Sequence, residues 1–295
     1  MDNHATRGAL VPTAFRGTVA SVHRDAVNVL VSDDSGDYVV SLIRNAADWT
    51  ELAIALTDRH WPTITGARPG EPVALRSDGC LLVSNQASPI TVTAARSPQP
   101  VGQEPISSKA LKDVRNRLVD RHHSRGFVAL LAPAAAGDRF AQRAAVRIAA
   151  WRPDDTTPLT ALVGLGAGFT PSGDDFLSGV LLAERLSGTA LADHDAIRQA
   201  LPTTVPAGSS LLRVALAGYP PAYQLRIAQA LLHADGAAAL LEAEVHGHSS
   251  GLDALAGVLW GLHVAESHST MKRDWQDSQT GKVPQLALGQ SRETI

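Results

Sequence analysis

The residues best suited to chemistry lie in one glycine-rich loop and at the start of the helix predicted after it. Gly164, Gly166 and Gly168 alternate along the loop, and the run Thr-Pro-Ser-Gly-Asp-Asp follows at positions 170–175. Glycine permits a positive φ or a close approach between backbone and ligand. The free N–H groups and the dipole at a helix start favour a phosphate or carboxylate. The loop therefore predicts a small-anion site with backbone donors at Gly166, Gly168 and Gly173.

A structural interpretation of the same run stays open. Ser172 and Asp175 have the spacing of a capping box, in which the Asp175 carboxylate accepts from the backbone of Ser172. Asp174 is not explained by that box, which makes it a candidate catalytic residue. Paired carboxylates near phosphates often bind Mg²⁺, so Mg²⁺ at Asp174 and Asp175 is a further hypothesis.

A second stretch, residues 246–262, repeats the same helix start. Aligning Ser250 with Ser172 also matches Gly251 with Gly173 and Asp253 with Asp175. Both copies carry small residues four positions apart, which allow close helix packing; these are Gly179 with Ala183, and Gly257 with Gly261. We predict that the two helices lie side by side with their starts facing one pocket. A chance match between two Ala/Gly/Leu-rich helices is the alternative.

Two histidines directly precede the second helix start. His246 and His248 are suited to hydrogen bonding or acid–base catalysis there. They lack a third ligand for zinc, and Ser249 and Ser250 lack the Gly-x-Ser-x-Gly motif of a hydrolase nucleophile. The catalytic candidates are His246, His248 and Asp174. The substrate-binding candidates are Gly166, Gly168, Thr170, Ser172, Gly173, Asp175, Ser249, Ser250 and Asp253.

Composition excludes several classes of protein. The 295 residues are 44% hydrophobic and 19% charged, as in an ordinary globular protein long enough for two domains. A net charge of −3 argues against nucleic-acid or membrane-surface binding. The single cysteine, Cys80, fits a reducing cytoplasm. The sequence shows neither an 18-residue apolar run nor a basic-then-apolar opening, so we expect neither a membrane span nor secretion.

The first third of the chain predicts a β-rich domain, residues 1–98, built as a small barrel or sandwich. The predicted strands are 18–22, 26–31, 38–43, 72–76, 80–83 and 90–93, with one short helix over 48–56. His23, His60 and Trp61 are scattered through this part and predict packing or surface roles.

Beyond a proline-rich boundary at 95–108, the pattern predicts an Ala-rich, mainly helical domain over residues 107–267. The predicted helices are 109–122, 139–151, the helix after the glycine loop, 195–201, 209–217, 222–233, 237–245 and 251–267. Only 127–131 and 159–163 have strand character. Arg213 could serve as a cation for an anionic substrate, although a solvated role is favoured. Residues 268–295 predict a flexible tail. The fold class is therefore α+β.

Three stretches together resemble the bacterial family that includes the AllH-type subunit of oxamate carbamoyltransferase. They are residues 164–175, Thr203-Thr204 with Ser209 and Ala217-Gly218, and residues 247–253. Gly-x-Thr-Pro-Ser-Gly-Asp-Asp is the family's most recognisable signature, and Phe169 stands where leucine is common. The resemblance is clear over about residues 160–262.

The resemblance implies a role in purine and allantoin nitrogen catabolism. Such a subunit works with two partner proteins to exchange a carbamoyl group between oxamate and phosphate, giving carbamoyl phosphate. Its ligands would be small anions, which could be stabilised by donors at two helix starts. Two other functions stay open, namely a non-catalytic binding or assembly subunit and a metal-dependent hydrolase.

Overall fold

The N-terminal part of the chain is a closed β-barrel. The computed structural model describes residues 5–44, 49–83, 89–93, 106–132 and 138–279, without the side chains of residues 63 and 268–279. The strands are β1 (Ala5–Arg7), β2 (Phe15–Val22), β3 (Ala26–Asp33), β4 (Gly36–Ile43), β5 (Ala53–Ala55), β6 (Pro72–Leu75), β7 (Cys80–Val83) and β8 (Ile90–Thr93). They pair in the order β1-β5-β4-β3-β2-β6-β7-β8, and the pairing of β8 with β1 closes the ring. The predicted β-rich fold is confirmed, and of the two expected architectures, barrel or sandwich, it is the barrel.

The alternation of residues along β3 and β4 explains the barrel's core. Val27, Val29 and Val31 are at most 3% exposed, and they pack with Val40 and Leu42 of β4 in one buried cluster. Successive strand residues point to opposite faces, so every second side chain enters the interior. The two strands pair antiparallel from Ala26–Ile43 to Asp33–Gly36.

The helix predicted over residues 48–56 is wrong for the described residues 49–56. Ala53–Ala55 forms β5, which pairs parallel to β4 and antiparallel to β1. Its backbone groups bond on both sides, and the barrel could not close at this point without it. Tertiary pairing thus overrides a weak local preference.

The rest of the described chain is mainly helical, as predicted. A short helix, α1 (Trp61–Ile64), lies between β5 and β6 in the sequence. The other α-helices are α2 (Ser108–His122), α3 (Arg139–Ala150), α4 (Thr157–Thr160), α5 (Ser172–Ser187), α6 (His194–Ala200), α7 (Pro206–Leu216), α8 (Ala222–Leu232), α9 (Gly236–Val245) and α10 (Ser250–Gln279). Among the described helices, none is both long and apolar enough to cross a membrane. The proline-rich boundary lies largely outside the described residues, as do residues 280–295, so the domain limits and the tail stay predictions.

Two segments with strand character are not strands. Gly126–Leu131 is a 3₁₀-helix, and Thr157–Thr160 is a short helix followed by turns at residues 161–164, where the glycine loop begins. A short apolar run does not distinguish a strand from a buried helical segment by its pattern. Leu159 and Leu162 are fully buried in the helical core in either case.

The helices α5 and α10 pack against each other at the centre of the helical part. A Cβ at Gly179 would overlap the carbonyl oxygen of Ala254, and one at Gly257 would overlap that of Phe176. A Cβ at Gly261 would lie 2.6 Å from that of Ala183. The small residues therefore permit direct backbone contact, and the prediction of two helices side by side is confirmed.

Helix α7 joins the helical part to the barrel. The Ser210 hydroxyl accepts from the Val39 N–H at 2.6 Å, and Val214 belongs to the barrel's apolar cluster. Arg213 donates to both carboxylate oxygens of Asp33 at 3.3 Å and lies over the Tyr38 ring. The favoured solvated role for Arg213 is thus wrong, because its charge is used to attach α7 to the barrel.

Candidate functional site

A cavity of about 560 Å³ lies between the barrel and the helices. The glycine loop, Asp175 at the start of α5 and the segment before α10 form one side. Helices α7 and α8 and barrel residues form the others. The barrel contributes Ala26, Val39, Ser41, Ile43, Trp49, Thr50 and Leu52. The starts of α5 and α10 therefore meet at one cavity, as predicted.

The hydrogen bonds at these two starts cross from one helix to the other. Ser250 of α10 hydrogen-bonds to Asp175 of α5, and the Thr170 hydroxyl lies 3.1 Å from Asp175 Oδ2 and 2.9 Å from Ser250 Oγ. Ser172 of α5 lies beside Asp253 of α10 and favours its charged form. We call Ser250–Asp175 and Ser172–Asp253 the crossed pairs. The predicted capping box within α5 is therefore wrong, since Pro171 is its N-cap and no side chain caps it.

Burial makes the two carboxyls of the crossed pairs difficult to ionise. Burial raises the pKa of Asp253 to about 6, although the Phe127 N–H donates to its Oδ1 at 2.6 Å. Its Oδ2 is buried with no well-aligned donor among the described residues. Burial and repulsion from Asp253 raise the pKa of Asp175 well above its ordinary value. A protonated Asp175 can donate a hydrogen bond as well as accept one.

The histidines before α10 occupy different positions. His246 stacks on Tyr223 with ring centroids 3.6 Å apart and an interplanar angle of 9°. Burial, with a smaller contribution from Arg226, lowers its pKa to about 4, so the ring is neutral at pH 7. His248 is exposed at the cavity's edge, and its carbonyl accepts from Arg125 at 3.0 Å. Of the two rings, His246 is the one positioned to accept a proton or a hydrogen bond inside the cavity.

Asp174 lies outside the cavity lining and fixes the loop instead. Its carboxylate accepts from the Gly164 N–H at 2.8 Å and from the Thr204 hydroxyl. Burial raises its pKa to about 6. This placement does not support contact between Asp174 and a substrate. Its partners also differ from those of Asp175, and no cluster of three metal-binding side chains occurs in the described part of the chain. The geometry thus gives no support to the Mg²⁺ hypothesis.

Asp174→Ala is expected to lower the free energy of unfolding by about 2 kcal/mol, because two partly buried donors lose the buried carboxylate that accepts from them. Urea denaturation of the unliganded protein measures this loss. The exposed Asp154→Ala is the matched control and should change stability little. Loss of ligand binding at unchanged stability would contradict this assignment and support direct contact with substrate.

The backbone of the glycine loop is used mostly for packing. The Gly173 N–H donates to the Leu165 carbonyl at 2.7 Å, so its predicted role as an anion donor is wrong. Gly166 has φ of 137°, and a Cβ there would lie 2.6 Å from the Ser172 nitrogen. The loop therefore folds tightly over the start of α5 and closes it to an incoming anion.

The predicted site residues divide between the cavity wall and the layer behind it. Lining the cavity are Gly168, Thr170, Asp175, His246, His248, Ser249 and Ser250. Behind them lie Gly166, Ser172, Gly173, Asp174 and Asp253. Sequence reasoning missed Phe169, Tyr223 and the barrel residues of the wall. Apolar residues in strands are normally core residues, so the sequence pattern of the barrel strands did not indicate that they line a cavity.

The helix side of this cavity coincides with a family match. Residues 162–262 match the family model of the oxamate carbamoyltransferase subunit AllH. The resemblance found in the sequence is confirmed for this segment. The chain has no match among the curated proteins or the solved structures.

The segment that matches the AllH family contains the glycine loop, both helix starts and the crossed pairs. The barrel wall lies outside it. The hydroxyls of Thr170, Ser249 and Ser250 offer neutral donors and acceptors near a buried carboxyl and a neutral imidazole. Such a set can orient a small polar ligand and move a proton to or from it.

Proposed function

We propose that this chain is a subunit of a carbamoyltransferase that moves a carbamoyl group between oxamate and phosphate. The family match supports an oxamate carbamoyltransferase subunit, and a subunit works with partner chains. The observation that carries the proposal is that the matched polar residues Thr170, Asp175, His246, Ser249 and Ser250 converge on one cavity. The pathway would be purine and allantoin nitrogen catabolism in the cytoplasm.

The reaction requires acyl transfer and one proton transfer. A phosphate oxygen attacks the carbamoyl carbon of N-carbamoyloxamate, and the bond from that carbon to the oxamate nitrogen breaks. The proton of hydrogenphosphate ends on the released nitrogen, so oxamate and carbamoyl phosphate leave. Hydroxyls of Ser249 and Ser250 can donate to the tetrahedral oxyanion. The contact between Thr170 and Ser250, with Asp175 behind it, can carry the proton.

One observation favours a second candidate function, a non-catalytic binding or assembly subunit. No lysine or arginine lines the cavity in the described chain. A phosphate or oxamate anion would therefore need a cation from elsewhere, as it would if a partner subunit carried part of the site.

The deciding experiment measures carbamoyl phosphate formed from N-carbamoyloxamate and phosphate, by the chain alone and with its partner subunits. We expect turnover with the partners, and Ser250→Ala should lower kcat about 100-fold. Ser187→Ala, at the far end of α5, is the control. An unchanged kcat with a raised KM for Ser250→Ala would support the binding subunit. No transfer in any combination would exclude the proposal.

A further inference from the structure

The charges and shape of the cavity indicate which end of a ligand enters it. We infer that the cavity receives the uncharged amide or ureido end of its ligand and leaves the anionic end at the mouth. This inference rests on the proposed function, whose substrate N-carbamoyloxamate carries both ends. The mouth is bordered by the exposed Phe169, Gly247 and His248.

Nearby arginines are committed to other groups. Arg213 pairs with Asp33, Arg226 donates to Glu242 at 2.7 Å, and Arg125 donates to the His248 carbonyl. The acidic group that does line the cavity is Asp175, with Asp253 directly behind it. An anion that enters fully would lose its hydration and meet carboxyls without a counter-charge, which is unfavourable.

The neutral polar groups suit an amide. Thr170, Ser249 and Ser250 each supply a hydroxyl that can donate to a carbonyl or accept from an NH₂ group. The Asp175 carboxyl can pair with an amide in the same two ways. A primary amide has both kinds of group on one small plane, whereas a carboxylate can only accept.

Much of the remaining wall is apolar. Val39, Ile43 and Leu52 come from the barrel, and the stacked rings of Tyr223 and His246 lie on the helix side. These surfaces accept the faces of a planar uncharged group with little loss of hydration, while they offer nothing to a charged one.

Oxalate, oxamate and oxamide test the inference directly. The three have the same size and shape, and each step replaces one carboxylate by an amide. Calorimetric titration of the full chain should show oxamide and oxamate with similar affinity, because each can insert an amide end, and oxalate about tenfold weaker. Equal or tighter binding of oxalate would overturn the inference, as would absence of binding by all three at millimolar concentration.

A matched pair of variants locates the discrimination in this cavity. Ala26 lines the barrel wall and is half-buried, so a longer side chain can extend into the space. Ala26→Lys should improve oxalate relative to oxamide about tenfold, and Ala26→Gln, without the charge, should not. An unchanged ratio of oxalate to oxamide affinity in Ala26→Lys would show that the ligands bind elsewhere and would refute the inference.

The outcomes also separate this inference from the proposed function. Carbamoyl transfer with partner subunits combined with tightest binding of oxalate would refute the inference alone. Weaker binding of oxalate than of the two amides, without transfer in any combination, would refute the proposed function alone.

Discussion

Gly257→Ala is expected to lower the free energy of unfolding by about 3 kcal/mol, although alanine is the better helix former. In an open helix the exchange would stabilise by about 1 kcal/mol. Here the new methyl group would overlap the Phe176 carbonyl oxygen and lie 3.2 Å from the Gly179 Cα, both of which are backbone atoms of α5. Because backbone cannot rotate away as a side chain can, α5 and α10 must separate. Urea denaturation measures the loss.

The control for this prediction is His263→Ala, an exposed position on the same helix. It should change stability by less than about 0.5 kcal/mol. If Gly257→Ala left stability unchanged or increased it, the close contact between the helices would be absent in solution. The shared cavity at their starts would then lose its structural basis.

Asp253→Asn is expected to become more stable relative to the wild type as pH rises. Burial raises the pKa of Asp253 from 3.8 to about 6, so the folded state binds more protons than the unfolded state between these values. The stability contributed by this group is complete below about pH 4 and is lost as pH rises through about 6. Asparagine does not titrate. The stability difference should therefore shift by roughly 2 kcal/mol in favour of the variant between about pH 4 and 7.5.

Removal of the Asp253 charge also relieves the repulsion that raises the pKa of Asp175, which acts in the same direction. Thermal or urea unfolding at several pH values gives the difference curve. Asp34→Asn, in the exposed turn between β3 and β4, is the control and should give a flat curve. A flat curve for Asp253→Asn would show that this carboxyl is not buried as described.

The sequence predicted the parts of the site that follow from local pattern. The repeated Ser-Gly-x-Asp start and the small residues four apart correctly predicted that α5 and α10 lie side by side at one cavity. The alternation in residues 26–31 and 38–43 correctly predicted the barrel's central strands. In each case neighbouring residues carry the information, because strand and helix periodicity is local.

Other features depend on contacts between distant residues. Capping rules pair Ser172 with Asp175 within one helix, and no local rule shows that Asp253 of another helix is its partner. Ala53–Ala55 is too short for a strand signal, and only its two neighbours in the barrel define it. Val39 and Leu52 have the pattern of core residues, so their place in the cavity wall depends on how α7 meets β4.

The crossed pairs bear on the order in which the chain acquires its structure. The serine at each helix start pairs with an aspartate of the other helix, and α6, α7, α8 and α9 lie between the two in the sequence. Neither start can be completed until the intervening chain has brought the two together, and closing so long a loop is slow. The ligand cavity is therefore assembled late, and a nascent chain released before α10 emerges would have no binding capacity.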